Sequence, residues 1–128
     1  MPKSVSLPYQ NFTNASMTGT STVTSAITNI MYRDSVSLEL DWSGTPTGTF
    51  SVLGSNSYNP GLPQTDGGQN AGTWTPITLS PAPVTSGSAG SLLINMNQLA
   101  FAWLQVKYTN TSGSGILNGW IAAKSLGA

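Results

Sequence analysis

The run Val36-Ser-Leu-Glu-Leu-Asp-Trp42 constrains this chain more than any other stretch of it. Its apolar residues Val36, Leu38, Leu40 and Trp42 alternate with Ser37, Glu39 and Asp41. A β-strand sends successive side chains to opposite faces, so a period of two gives one dry face and one wet face. On a helix the same residues would scatter around the circumference and leave no continuous apolar stripe. A strand of this kind needs partners along its edges and a second layer against its dry face, so the rest of the chain must supply further strands.

It does so repeatedly. Thr49 to Ser55 follows the turn-rich connector Ser43-Gly-Thr-Pro-Thr-Gly48, and the two strands are expected to form an antiparallel pair. Trp74 to Leu79 reads as a short strand that Pro76 confines to a sheet edge. Ser91 to Met96 sets Leu92, Ile94 and Met96 on one side. Trp103 to Thr109 sets Leu104, Val106 and Tyr108 on one face, with Gln105 and Lys107 on the other. Ile116 to Lys124 comes after Thr111-Ser-Gly-Ser-Gly115, a turn that would fold it back on the preceding strand as a hairpin. Nearer the start, Thr20 to Thr24 and Ala26 to Met31 are rich in β-branched residues and supply one or two strands. Helical periodicity is absent, apart from one turn's worth within Asn95 to Ala102. About seven or eight short strands with turn-rich connectors imply an all-β fold, an antiparallel β-sandwich wired as a jelly roll or related Greek key.

A length of 128 residues suits one such domain. Residues 1–15 lack clean alternation and are expected to form an extended N-terminal arm, with the sandwich occupying 16–128. Leu7, Tyr9 and Phe12 on that arm are candidate anchors for a neighbouring subunit, or else they cover the domain's own core. From Gly54 to Gly72 the chain carries Pro60, Pro63 and five glycines, which reads as a long loop. Loops of that length in compact domains commonly carry function, so Tyr58, Leu62 and Trp74 are candidate ligand contacts. Trp42, Trp103 and Trp120 lie among apolar residues and are expected in the core.

The chemistry available is narrow. There is no histidine and no cysteine, so the commonest general base and the thiolate and imidazole metal ligands are missing. Four acidic residues balance four basic ones, and charged residues are 6% of the chain, against roughly 25% in ordinary domains. Such a thin basic inventory argues against direct nucleic-acid binding, which needs clustered Lys or Arg. Glu39 and Asp41 share a strand face and could in principle form an acid/base pair, but two solvating carboxylates on an exposed face are the favoured reading, since neither has an apolar setting in the sequence. Asp66-Gly-Gly68 lacks the further acidic ligands of a calcium loop. Asn11, Asn14 and Asn110 head glycosylation-type triplets that chance explains in so Ser/Thr-rich a chain. No cofactor or metal is expected. The most apolar window, Leu99 to Leu104, is far shorter than the about 20 residues a membrane helix requires. No signal-peptide pattern is visible at the start, which implies synthesis in a cytoplasm.

Taken in order, several pieces resemble a recurring module of bacteriophage structural proteins. They are the run from Asp34 to Asn56 with its Gly48-Thr-Phe50 and Gly54-Ser-Asn56 steps, the segment Gly72-Thr-Trp-Thr-Pro-Ile77, and Val106-Lys-Tyr-Thr109 followed by Ser112-Gly-Ser-Gly115. The resemblance covers residues 34–124 and departs from the pattern in the insertion between Asn56 and Trp74; residues 1–30 have no counterpart in it. It implies a non-enzymatic virion component with a jelly-roll fold, made in the host cytoplasm and resident on the particle. A head decoration or cement protein has a suitable size, with the major capsid protein or other virion subunits as partners and with self-association into a homo-oligomer. The alternative is a receptor- or carbohydrate-binding spike or tail component that uses the long loop and the tryptophans.

Overall fold

The computed structural model describes residues 9–30, 35–60, 71–79, 82–97 and 101–124. Ten strands form in chain order: β1 (Tyr9–Thr18), β2 (Thr22–Thr24), β3 (Thr28–Asn29), β4 (Ser35–Trp42), β5 (Thr47–Ser55), β6 (Thr75–Pro76), β7 (Val84–Ser86), β8 (Gly90–Asn97), β9 (Trp103–Ser112) and β10 (Ser114–Lys124). No helix occurs among the described residues. One sheet has the order β1-β10-β4-β8; the other is β2-β9-β5-β6, with β3 also on β9 and β7 also on β5. All these pairings are antiparallel.

The ten strands reduce to eight lanes. β2 and β3 occupy successive stretches of the same edge of β9, opposite residues 107–109 and then 103–104. Between them Ser25 interrupts the ladder: its hydroxyl accepts from the Val106 amide at 2.9 Å, and the next amide, Ala26, turns to the Asn11 carbonyl of the other sheet. β6 and β7 likewise share the outer edge of β5, and Pro76 and Pro83 mark the gap between them. Proline cannot donate to a ladder, so the lane is broken where it lies at an edge. Nested pairing follows, with β1 against β10, β2 and β3 against β9, β4 against β8, and β5 against β6 and β7. Rolling that nested ribbon brings β10 beside β4 and β9 beside β5, which is the wiring of a jelly roll.

The core sits between the sheets. Leu38, Leu40, Met17, Leu117 and Ile121 from the four-stranded sheet meet Phe50, Val52, Leu104, Val106 and Tyr108 from the other. The alternation read in 36–42 and 103–109 is realised, with Val36, Leu38 and Leu40 inward on β4 and Leu104, Val106 and Tyr108 inward on β9. Phe50 packs its ring against Tyr108 and Trp42, with centroids 4.7 Å and 5.6 Å apart.

Two connections differ from expectation in the same way. β4 and β5 do not pair; they lie in opposite sheets. The amides of Ser43 and Thr45 in their connector bond to the carbonyls of Ile116 and Ser114, so the turn is tied to β10 rather than closed on itself as a hairpin. β9 and β10 also lie in opposite sheets, separated by Gly113 alone. Gly113 has φ +76°, where only glycine is free of strain, and a Cβ there would collide with the Thr45 carbonyl. Both segments are corners that carry the chain over the core.

The tryptophans are the other correction. Trp42 packs against the core as expected, its indole N–H donating to the Ser88 carbonyl at 2.8 Å. Trp103 and Trp120 instead point away from it. On β10 the inward positions are Leu117, Gly119, Ile121 and Ala123, so Trp120 faces outward and is 38% exposed. Gly119 holds a core position because Phe12 and Leu40 press against it; a Cβ would lie 2.9 Å from the Phe12 ring and 3.0 Å from Leu40. The strand expected over Trp74 to Leu79 shrinks to Thr75–Pro76, at the sheet edge where Pro76 put it. Those expected over 20–24 and 26–31 become the short β2 and β3. Residues 9–15 of the expected arm are the first part of β1.

Candidate interaction surface

Two outer features distinguish this sandwich, and they lie on different sheets. The first is at the end of the barrel-like roll where β5 stops and β9 begins. Trp103 opens β9 on the outer face, Tyr58 follows β5, and Trp74 precedes β6. The Tyr58 ring stands edge-on to Trp103, with centroids 4.9 Å apart, and tilts against Trp74 at 5.7 Å. Local hydrogen bonds set this arrangement. Ser55 Oγ accepts from the amides of Ser57 and Tyr58, both at 3.2 Å, and bends the chain directly after the strand. Ser57 Oγ accepts from the Thr73 amide at 2.7 Å and brings the two ends of the long loop together. Asn56 Oδ1 accepts from the Ala102 amide at 2.8 Å, which ties the loop to the approach to β9.

Beside this cluster lies an open groove of about 440 Å³ bounded by Ser55, Asn56, Ser57, Thr73, Pro76 and Phe101. The lining side chains are those of serines, threonines and Asn56 together with the apolar Pro76, Ile77 and Phe101, and none of them is charged. Tyr58 meets both tryptophan rings, and all three side chains are half-buried. Chemically the arrangement closes a loop firmly and leaves a shallow, uncharged recess.

The second feature is the outer face of the four-stranded sheet. Register places Gln10, Trp120, Glu39 and Leu93 in one row across β1, β10, β4 and β8. Asn118, Asp41 and Ser91 form the next row. Asn118 Oδ1 accepts from Gln10 Nε2 at 3.0 Å and from the Asn14 amide at 2.9 Å, bracing the irregular part of β1. Glu39 thus stands between the apolar Trp120 and Leu93 and Asp41 between the polar Asn118 and Ser91, both on an open sheet face, as solvating carboxylates do. Among the described residues no group of three or more His, Cys, Asp or Glu side chains could hold a metal. Asp66 lies outside the described residues.

The candidate residues are distributed unevenly. Tyr58 and Trp74 are brought together, with Trp103 as an unforeseen third member. Leu62 and Leu7 lie outside the described residues. Tyr9 is exposed at the start of β1, and its hydroxyl is hydrogen-bonded to Thr28 Oγ1. Phe12 is 3% exposed and belongs to the domain's own core, so its side chain has no surface to offer a neighbour.

Sequence reasoning also missed a buried polar chain beneath one end of the sandwich. Thr85 Oγ1 and the Tyr108 hydroxyl are 2.7 Å apart, and that hydroxyl donates to Asn110 Oδ1 at 2.8 Å. Asn110 Nδ2 then donates to the carbonyls of Gly19 and Gly113, at 2.9 and 3.1 Å. Burial pushes the Tyr108 phenol above its ordinary pKa, and the Thr85 bond partly offsets this. Asn110 is 1% exposed, which removes it as a glycosylation acceptor. Its only signal in the sequence was an inward parity two residues beyond Tyr108.

No protein-family model matches the chain, and no curated protein does. Among solved structures, the fold is similar to that of a chain in the structure of infectious bursal disease virus, Gx strain. The TM-score is 0.57 at 12% sequence identity, over 99% of this chain and 33% of that one. The chain therefore spans about a third of the length of the viral chain it matches, and what the two share is the sandwich fold.

Proposed function

We propose that this chain is a structural component of a bacteriophage virion that binds the assembled capsid as a decoration or cement protein. The observation that carries the reading is the jelly-roll wiring, an architecture recurrent in viral capsid domains and similar here to a chain from a virus structure. The composition supports it. A chain with no histidine, no cysteine and 6% charged residues has few groups for bond-making, and little surface repulsion to oppose docking on a crowded particle. Its work is to bridge neighbouring subunits by contacts that are individually weak and are multiplied by the symmetry of the shell. The major capsid protein is the partner, the particle is the location, and no catalysis is involved.

Co-sedimentation of purified protein with undecorated capsids tests this. Saturable binding at a fixed ratio to the capsid subunits is expected; binding that never saturates, or none, contradicts it. A second reading, a glycan- or receptor-binding spike component, draws on the uncharged groove beside Trp74. A glycan array with the parent chain and Trp74→Ala separates the two, because the cement reading predicts no signal from either.

A further inference from the structure

A sheet edge exposes unpaired backbone N–H and C=O groups, and folded proteins blunt such edges with bulges, prolines, charges or brevity. Three of the four edges here are blunted. β1 has register breaks between Gln10 and Phe12 and between Phe12 and Ala15, with Asn14 at φ +47°. The β2 and β3 edge consists of pieces of three and two residues. The β6 and β7 edge is equally short and carries Pro76. β8 has none of these devices. It runs eight residues, Gly90 to Asn97, in unbroken register with β4, without proline or a charged side chain. Among the described residues no strand pairs with its outer side.

The side chains around that edge are unfinished too. Leu93 is 65% exposed, the highest value among the large hydrophobic residues described as exposed. Leu92 and Ile94 point inward but are only partly buried at the rim of the core. From these observations we propose that β8 pairs antiparallel with β8 of a second copy of this chain, merging two four-stranded sheets into one across a two-fold axis. The pairing satisfies both free edges at once and closes each copy's Leu92 and Ile94 with the other's.

Charge is compatible with a second copy as the occupant. β8 is neutral, so self-pairing sets no like charges opposite each other. The nearest carboxylates among the described residues, Glu39 and Asp41, are one strand inward on β4, opposite Leu93 and Ser91. Carboxylates of the two copies would then be at least three strand spacings apart, about 14 Å, beyond the screening length of about 8–10 Å. Asn95 and Asn97 each carry donor and acceptor, which makes an exposed amide its own complement across a two-fold axis. This inference concerns the isolated chain and stands apart from the virion reading.

Sedimentation velocity across a concentration series tests it, starting from the 13.3 kDa monomer. The parent chain should shift to a dimer, and the double variant Leu93→Lys/Asn95→Lys should need at least about tenfold more protein to do so. Both positions are exposed, so far-UV circular dichroism and the melting temperature should match the parent. A parent chain that stays monomeric throughout overturns the proposal and leaves the edge to a strand from another protein; equal dimerisation by the double variant overturns it as well. A nitroxide at Asn95→Cys gives a second reading that does not depend on the double variant, because the chain has no other cysteine. A short inter-copy distance is expected there, and a much longer one for a label at Ser16→Cys on the opposite edge. The reverse order, or no coupling at position 95, overturns the proposal.

Discussion

Removing the Asn110 side chain should loosen the sandwich at the end where its corners meet. Asn110→Ala deletes three hydrogen bonds, from Tyr108 and to the carbonyls of Gly19 and Gly113. At about 1 kcal/mol net for each, the expected cost is about 3 kcal/mol, since both glycines lie in exposed turns where water can re-solvate their carbonyls. Tyr108→Phe deletes the bonds to Thr85 and Asn110 and should cost about 2 kcal/mol. The two changes share one bond, so the double variant should fall short of additivity by about 1 kcal/mol. Urea unfolding of the parent, both single variants and the double, compared at a common m-value, measures all three quantities. A cost below about 1 kcal/mol for Asn110→Ala, or strict additivity, would refute the idea that this chain of bonds holds the corners.

The raised Tyr108 pKa means that the unfolded chain loses its phenolic proton first, so stability is intact below about pH 10 and declines as pH rises through the folded value. Tyr108→Phe should flatten that alkaline decline in pH-dependent urea midpoints, and an unchanged slope would contradict the assignment. Gly119→Ala forces a methyl against Asn11, Phe12 and Leu40 and should cost about 1–3 kcal/mol in the same assay; a neutral result would contradict this close packing. Asn11 is 6% exposed, and its side-chain amide has no hydrogen-bond partner among the described residues. Asn11→Leu should therefore be neutral or stabilising by about 1 kcal/mol, whereas a large loss would show that the amide is satisfied. Capsid binding by so weakly charged a chain should change little between low and high salt, and a steep loss of binding with salt would point to an electrostatic interface instead.

How much of this architecture was legible in the sequence depends on the range of the cause. Alternation in 36–42 and 103–109 follows from burial of one strand face, a local pattern, and both strands sit where that pattern put them. Which strands pair is a different matter. Ser43–Gly48 and Thr111–Gly115 have the residues of a hairpin turn, and a corner between sheets uses the same glycines and hydroxyls. Only the bonds from Ser43 and Thr45 to β10 distinguish the two, and those partners lie about 70 residues away along the chain. Trp120 was misplaced because Ile116-Leu-Asn-Gly-Trp-Ile121 is apolar on both parities, and Gly119 gives no sign that it fills a core site beside Phe12. Bulges in β1 disguised a strand as an arm, since an inserted residue breaks the period of two. At the candidate surface, composition marked Tyr58 and Trp74, while Trp103 joined them through outward parity at the start of β9.

In the proposed role this sandwich works by contact with other virion proteins, and a cryo-EM reconstruction of the intact phage particle can show that contact. Symmetric density is expected on the assembled shell, fitting the two-sheet fold and touching more than one capsid subunit. A particle that lacks the chain, or holds it only at an adsorption organelle remote from the shell, would contradict it.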